Sequence, residues 1–308
     1  MRKQVILLLI LVASTSQVIC QTPSRYYINR FPHDLRDIGN LICAFLNSTQ
    51  PLMEEIIGCP PAYKGAIEVY FNKDLPWMGG VYRVGHAEPK IEASMLSYYV
   101  YQHEAVHAYF FMANALFGDK AWPLTRIVWH AEGTADFVAM KILDEVGVEK
   151  NVVLAQKLFY IMATYYLLRE EPEYKRLFFS GTATPHYVAY VLFERAYLKH
   201  GLKALQAQWR EIMYTETKVF SSQEMLERLK EVSGVDFSEL YDEVLEIALN
   251  SKSLQEFIKK LGIVQGFESP EMQSALNRAS EIAEKMLKAL EQGNYETYVS
   301  AWNELVEY

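Results

Sequence analysis

His103-Glu104-Ala105-Val106-His107 lies inside a long run of helical character, and the geometry of that helix governs how the rest of the chain is read. Residues four apart stand one turn above each other on one face of an α-helix. His103 and His107 therefore aim their imidazoles at one point. Such a pair suits a zinc ion, which takes histidine nitrogen at about 2.0–2.1 Å. Glu104 lies about 100° around the helix from His103. It stands beside the metal rather than on it, where a carboxylate can take a proton from activated water and return it to a leaving group.

Trp129-His130-Ala131-Glu132-Gly133-Thr134-Ala135-Asp136-Phe137 falls in the next helical segment. Glu132 follows His107 by 25 residues, enough for a helix end, a turn and a return helix. Glu132 and Asp136 are again four apart. Glu132 can complete a three-ligand zinc site whose fourth position is left for water. Asp136 can accept the outer N–H of a ligand histidine and fix its tautomer. Fully buried helices rarely carry carboxylates on a face that only packs. His130 projects about 200° away from Glu132 and reads as a packing residue.

These two stretches resemble the gluzincin metallopeptidases, the group of thermolysin-like and aminopeptidase-N-like enzymes. HEAVH at 103–107 matches the zinc-helix motif, and WHAEGTADF at 129–137 resembles the family's W-x-x-E-G-x-A pattern. The resemblance implies zinc ligands His103, His107 and Glu132, Glu104 as general base and acid, and Asp136 as the carboxylate behind a ligand histidine. It implies a thermolysin-like catalytic core, and for residues 81–93 the edge strand that pairs with an extended substrate backbone. Pro185-His186-Tyr187-Val188-Ala189 is similar to a family helix opening P-Y-x-x-G, whose Tyr stabilises the oxyanion. His186 takes that place if Ala189 stands for the Gly, and Tyr187 takes it after a one-residue shift. Either side chain can donate to a developing oxyanion. Ser233-Gly234-Val235-Asp236-Phe237 resembles a C-terminal feature of such proteins. A substrate-amine motif of the G-A-M-E-N kind is absent from the sequence. The resemblance covers roughly residues 66–245.

Outward from this centre, the pattern predicts an α+β fold, predominantly α-helical. A small N-terminal β-sheet, with its edge strand over the zinc-binding helix, precedes a helical C-terminal region. A helix is expected over Asp34–Leu46 and a strand over Ala66–Asn72, then a turn over Pro76–Gly80 and strand pieces at Val81–Val84 and Lys90–Ala93. Helices are expected from about Glu92 to Phe117, from Pro123 to Gly147, over Val152–Arg169, and from the Thr184-Pro185 start to Gly201. Further starts stand at Ser221 and at Ser269-Pro270-Glu271. The division is residues 1–20 as signal peptide, 21–205 as catalytic domain and 206–308 as helical C-terminal region.

The 308-residue chain carries 30 Lys+Arg against 38 Asp+Glu, a net charge of −8, with 51% hydrophobic and 22% charged residues. That balance excludes a disordered polyelectrolyte, a collagen-like chain and a disulfide-dense miniprotein. An acidic chain also lacks the basic footprint of a nucleic-acid binder. Arg2 and Lys3, the apolar run Val5–Ala13 and the small polar residues Ser14–Ser16 read as a secretory signal, so a secreted or extracytoplasmic protein is expected, with membrane anchoring by an uncleaved signal or by lipid at Cys20 as the alternative. No later segment reads as transmembrane. Cys43 and Cys59 then form either one disulfide or two buried thiols. Asn47-Ser48-Thr49 spells an N-glycosylation sequon. The expected function is a zinc metallopeptidase acting on peptide or protein. Two other classes fit the same residues: a binding protein on a peptidase scaffold, and a zinc hydrolase of a non-peptide substrate.

Overall fold

Four short strands, β1 (Tyr26–Asn29), β2 (Ala66–Phe71), β3 (Gly80–Val84) and β4 (Pro89–Ala93), form one sheet in the order β1-β2-β4-β3. The structure is a computed structural model that describes residues 26–61, 65–75, 80–84, 89–117, 124–180, 186–214 and 221–264, with scattered positions from 270 to 301. β1, β2 and β4 are parallel, and β3 runs antiparallel to β4 along one edge. Alternation sets the buried face: Tyr27 pairs with Ile67 and Val69 with Ile91, and all four are buried.

The opposite edge is closed by a side chain. Asn47 Oδ1 accepts from Tyr27 N at 2.9 Å, and Asn47 Nδ2 donates to Tyr27 O at 3.3 Å. The amide thus imitates a neighbouring strand and satisfies backbone groups that an open edge leaves bare. Asn47 belongs to α1 (Arg36–Ile57), which follows a 3-10 turn at His33–Leu35. This helix runs well past the expected end at Leu46. Pro51 removes one backbone donor, but Met53, Ile56 and Ile57 continue the buried face begun by Ile42, Cys43 and Leu46. The stop comes at Gly58, with φ 78°, whose N–H closes on Glu54 O at 2.8 Å.

Cys43 and Cys59 are both free and buried, so the disulfide alternative is set aside. Burial pushes their thiols up to about 12 and about 11. Cys59 Sγ instead lies 3.7 Å from Met213 Sδ.

α2 (Tyr98–Phe117) starts later than expected, because Glu92 and Ala93 belong to β4, where they pair with Tyr70 and Phe71. Every residue from Tyr99 to Tyr109 is buried. The helix that carries His103, Glu104 and His107 is therefore central, enclosed on all sides. β3 and β4 both pack on it.

α3 (Leu124–Val146) returns against α2, α4 (Lys150–Glu170) follows, and a 3-10 turn (Pro172–Tyr174) leads into the unexpected short α5 (Lys175–Ser180). α6 (His186–His200) lies on α3 and α4. α7 (Leu202–Tyr214), α8 (Ser222–Ser233), α9 (Phe237–Leu249) and α10 (Leu254–Leu261) complete the described helices. Ser221 caps α8 by accepting from Glu224 N, and Asp236 caps α9 by accepting from Glu239 N. Trp129 sits edge-on to Phe237 at 5.0 Å and to Phe179 at 5.2 Å, which ties α3 to α9 and α5. The division after residue 205 falls inside α7. From that helix Trp209 Nε1 donates to Thr134 Oγ1 of α3 at 3.0 Å, so one core serves both regions.

No helix among the described residues is long and apolar enough to cross a membrane. The signal at 1–20, the turn at 76–79, Pro123 and Thr184-Pro185 lie outside the described residues, as do Ser269 and Glu271.

Candidate metal centre

Two devices place the side chains of the centre. The first is Gly133 of α3. A Cβ there would stand 2.6 Å from the Phe193 ring and 3.0 Å from the Ala189 carbonyl oxygen. Only a residue without a side chain lets α6 approach α3 this closely, and that approach brings His186 beside Glu132. The second is Glu149, the one non-glycine with positive φ among the described residues, at 48°. In this conformation Glu149 Oε1 accepts from Tyr98 N at 3.1 Å, and Oε2 accepts from Tyr99 N at 3.1 Å and Ser97 Oγ at 3.0 Å. A carboxylate from the α3–α4 connection thus caps the first turn of α2 and complements its dipole. Burial raises the Glu149 pKa, and the three donors offset that rise only in part.

The predicted ligands converge. His103 Nε2 and His107 Nε2 are 3.0 Å apart. Glu132 Oε2 lies 3.0 Å from His107 Nε2 and 3.3 Å from His103 Nε2. His103 Nδ1 lies 2.7 Å from Asp136 Oδ1, out of line for a well-aligned hydrogen bond. Asp136 Oδ1 accepts from Tyr99 Oη at 2.6 Å, and Tyr99 Oη lies 3.2 Å from Tyr160 Oη. His186 Nδ1 lies 3.3 Å from Glu132 Oε2 and 3.7 Å from Asp136 Oδ2. Its ring stacks on His103 with centroids 5.9 Å apart.

The electrostatics follow from crowding charged groups away from water. Burial disfavours charge on His103, yet Asp136 and Glu132 outweigh it and hold the imidazole pKa well above its usual value. Burial likewise opposes the Glu132 carboxylate, but His107, His186 and His103 hold it well below the usual range. For Asp136 the same contest, won by His103 and His186, ends at about 2. Glu104 goes the other way: burial raises it, and the attraction of His107 and His103 only partly compensates. His186 stands at the rim with its side chain 48% exposed, yet burial weighs on its charge before Glu132 and Asp136 raise its pKa.

The donor set fits a small divalent cation. Atoms around a four-coordinate zinc at about 2.0–2.1 Å stand roughly 3.3 Å apart. The His103, His107 and Glu132 atoms are already at 3.0 to 3.3 Å. Asp136 Oδ2 is buried without a hydrogen-bond partner, consistent with a cluster arranged for a further charge.

His103, Glu104, His107, Glu132, Asp136 and His186 are therefore brought together, whereas Tyr187 is not. Tyr187 packs against the core, and its hydroxyl, pushed up to about 12 by burial, feels Tyr174 and Glu171. His130 is a packing residue: buried, edge-on to Phe193 and Trp129, with Nε2 3.2 Å from Gln208 Oε1. Sequence reasoning missed Tyr99, Tyr160 and Glu149. A buried tyrosine leaves no periodic signal that separates it from core, and the Glu149 contact spans about fifty residues. No protein family model, curated protein or solved structure significantly matches the chain.

Proposed function

We propose that this chain is an exported zinc metallopeptidase of thermolysin-like kind that hydrolyses peptide bonds in peptide or protein substrates. The observation that carries the reading is the meeting of His103 Nε2, His107 Nε2 and Glu132 Oε2 at mutual distances of 3.0 to 3.3 Å, with Glu104 on the same helix. His103, His107 and Glu132 would hold a zinc ion, which would supply Lewis acidity to a bound water and to the scissile carbonyl. The remaining work falls to the chain. Asp136, backed by Tyr99, orients His103. Glu104, its pKa raised by burial, takes a proton from water and delivers it to the departing amine. His186 faces the cluster from the rim and donates to the oxyanion, a role Tyr187 is not placed to share. The outer edge of β3, the last strand of the sheet among the described residues, packs on α2 and offers backbone groups to an extended peptide.

The test is zinc stoichiometry on the purified chain and on Glu104→Gln, each incubated with a mixed peptide library. One zinc per chain in both, with cleavage by the parent alone, is the expected result. Zinc with no cleavage by either would replace peptidase by a binding protein or a hydrolase of another substrate. No zinc in either would remove the metal centre.

A further inference from the structure

Four side chains carry metal-ligating atoms at this cluster. His103 and Glu132 belong to two overlapping sets: His107 completes one, and His186 the other. In the second set the three donor atoms all lie within 4.8 Å of one another. His186 Nδ1 stands 3.3 Å from Glu132 Oε2, the spacing that two ligands of one four-coordinate ion require. His186 also differs from its partners in access. The side chains of His103 and His107 are 10% and 8% exposed, against 48% for His186. It enters from α6, a different element from the two that carry the other donors.

We infer that His186 is a fourth protein ligand, which closes the metal centre at rest and yields its place when a substrate oxygen enters. This inference rests on the metallopeptidase reading and adds a step that reading does not contain. The exchange is a simple ligand substitution: a neutral imidazole nitrogen leaves the ion, an oxygen donor takes its position, and no electron or proton changes hands. The released ring stays stacked beside His103 and next to Asp136, and its freed Nδ1 takes up a proton from solvent before it donates to the oxygen that displaced it. Peptides with a good carbonyl donor would open the centre, and small anions alone would not.

The experiment loads the full chain and His186→Ala with cobalt(II), with circular dichroism to establish that both are folded, and adds azide as an external ligand. Zinc affinity is measured in parallel by chelator competition. A closed centre predicts that azide leaves the visible cobalt spectrum of the parent unchanged and alters that of His186→Ala, with zinc affinity at least ~10-fold weaker in the variant. If azide alters the parent spectrum, His186 does not close the centre, and that result stands even where the variant fails to fold. Equal zinc affinities in parent and variant would also overturn the assignment while leaving the three-donor centre intact. A parent that takes up neither metal would overturn the centre itself, a result distinct from the failure of His186 alone.

Discussion

Asp136 Oδ1 lies 2.7 Å from His103 Nδ1, so the ring that meets Glu132 through one nitrogen has a buried carboxylate behind the other. The same oxygen accepts a hydrogen bond from the Tyr99 hydroxyl at 2.6 Å, so Asp136 is itself braced. Asp136→Asn removes the charge and keeps the shape. It is expected to leave the fold intact and weaken zinc binding by about 10- to 100-fold, as changes behind a metal ligand do. Competition with a chromogenic chelator reads the affinity, and an unchanged value would show that Asp136 does not act through His103.

Glu149 gives a two-variant test of how α2 is anchored. Glu149→Ala loses all three bonds to Ser97, Tyr98 and Tyr99 and keeps the unfavourable backbone. A loss of about 1–2 kcal/mol is expected in urea unfolding. Glu149→Gly loses the same bonds but fits the left-handed conformation, and should recover about 1 kcal/mol of that loss. Equal stabilities would mean that the positive φ carries no strain.

Gly133→Ala tests the approach of α6. The added methyl meets Phe193 and the Ala189 carbonyl, and backbone must shift to make room. Destabilisation of about 1–3 kcal/mol is expected by chemical denaturation, typical of an overpacked core. A neutral variant would show that α3 and α6 are not held as closely as their contacts require.

His130 carries a pH signature. Burial, only partly opposed by the bond to Gln208, lowers its pKa from 6.5 to about 4. The unfolded chain therefore takes up a proton that the folded chain refuses between those values. Stability contributed by the neutral ring is full above pH 6.5, declines as pH falls, and is gone below about 4, a loss of roughly 3 kcal/mol. Imidazole resonances followed by NMR from pH 7 downward should show His130 still neutral at pH 5.5. A midpoint above pH 6 would contradict its burial.

Much of the centre could be read from spacing alone, because spacing on a helix is geometry. His103 with His107 and Glu132 with Asp136 are pairs four apart, and each pair shares a face whatever the tertiary fold. The choice between His186 and Tyr187 could not be made that way, since it depends on how α6 is rotated against α3. That rotation is fixed where Phe193 of the same helix meets Gly133, which lies far from both candidates in sequence. The start of α2 was misplaced for a similar reason. Glu92 and Ala93 suit a helix locally, but pairing with Tyr70 and Phe71 draws them into the sheet. α1 outruns the expected end at Leu46 because buried Met53, Ile56 and Ile57 continue its apolar face, and their packing outweighs the one hydrogen bond that Pro51 removes.

The closed edge at Asn47 has a consequence for how the protein can be produced. The amide nitrogen that would carry a sugar is the one that donates to Tyr27 O, and its oxygen holds Tyr27 N. A glycan there takes one of the two amide hydrogens and brings its bulk against the docked first strand. A host that decorates sequons on the nascent chain would therefore yield molecules in which β1 is crowded at its edge. Thr49→Ala would erase the acceptor sequence at the cost of the hydroxyl's bonds to Gln102 and to the Phe45 and Leu46 carbonyls, leaving Asn47 free to keep its place. The same three letters that advertise a sugar site would then mark where this fold is most easily spoiled by its own expression system.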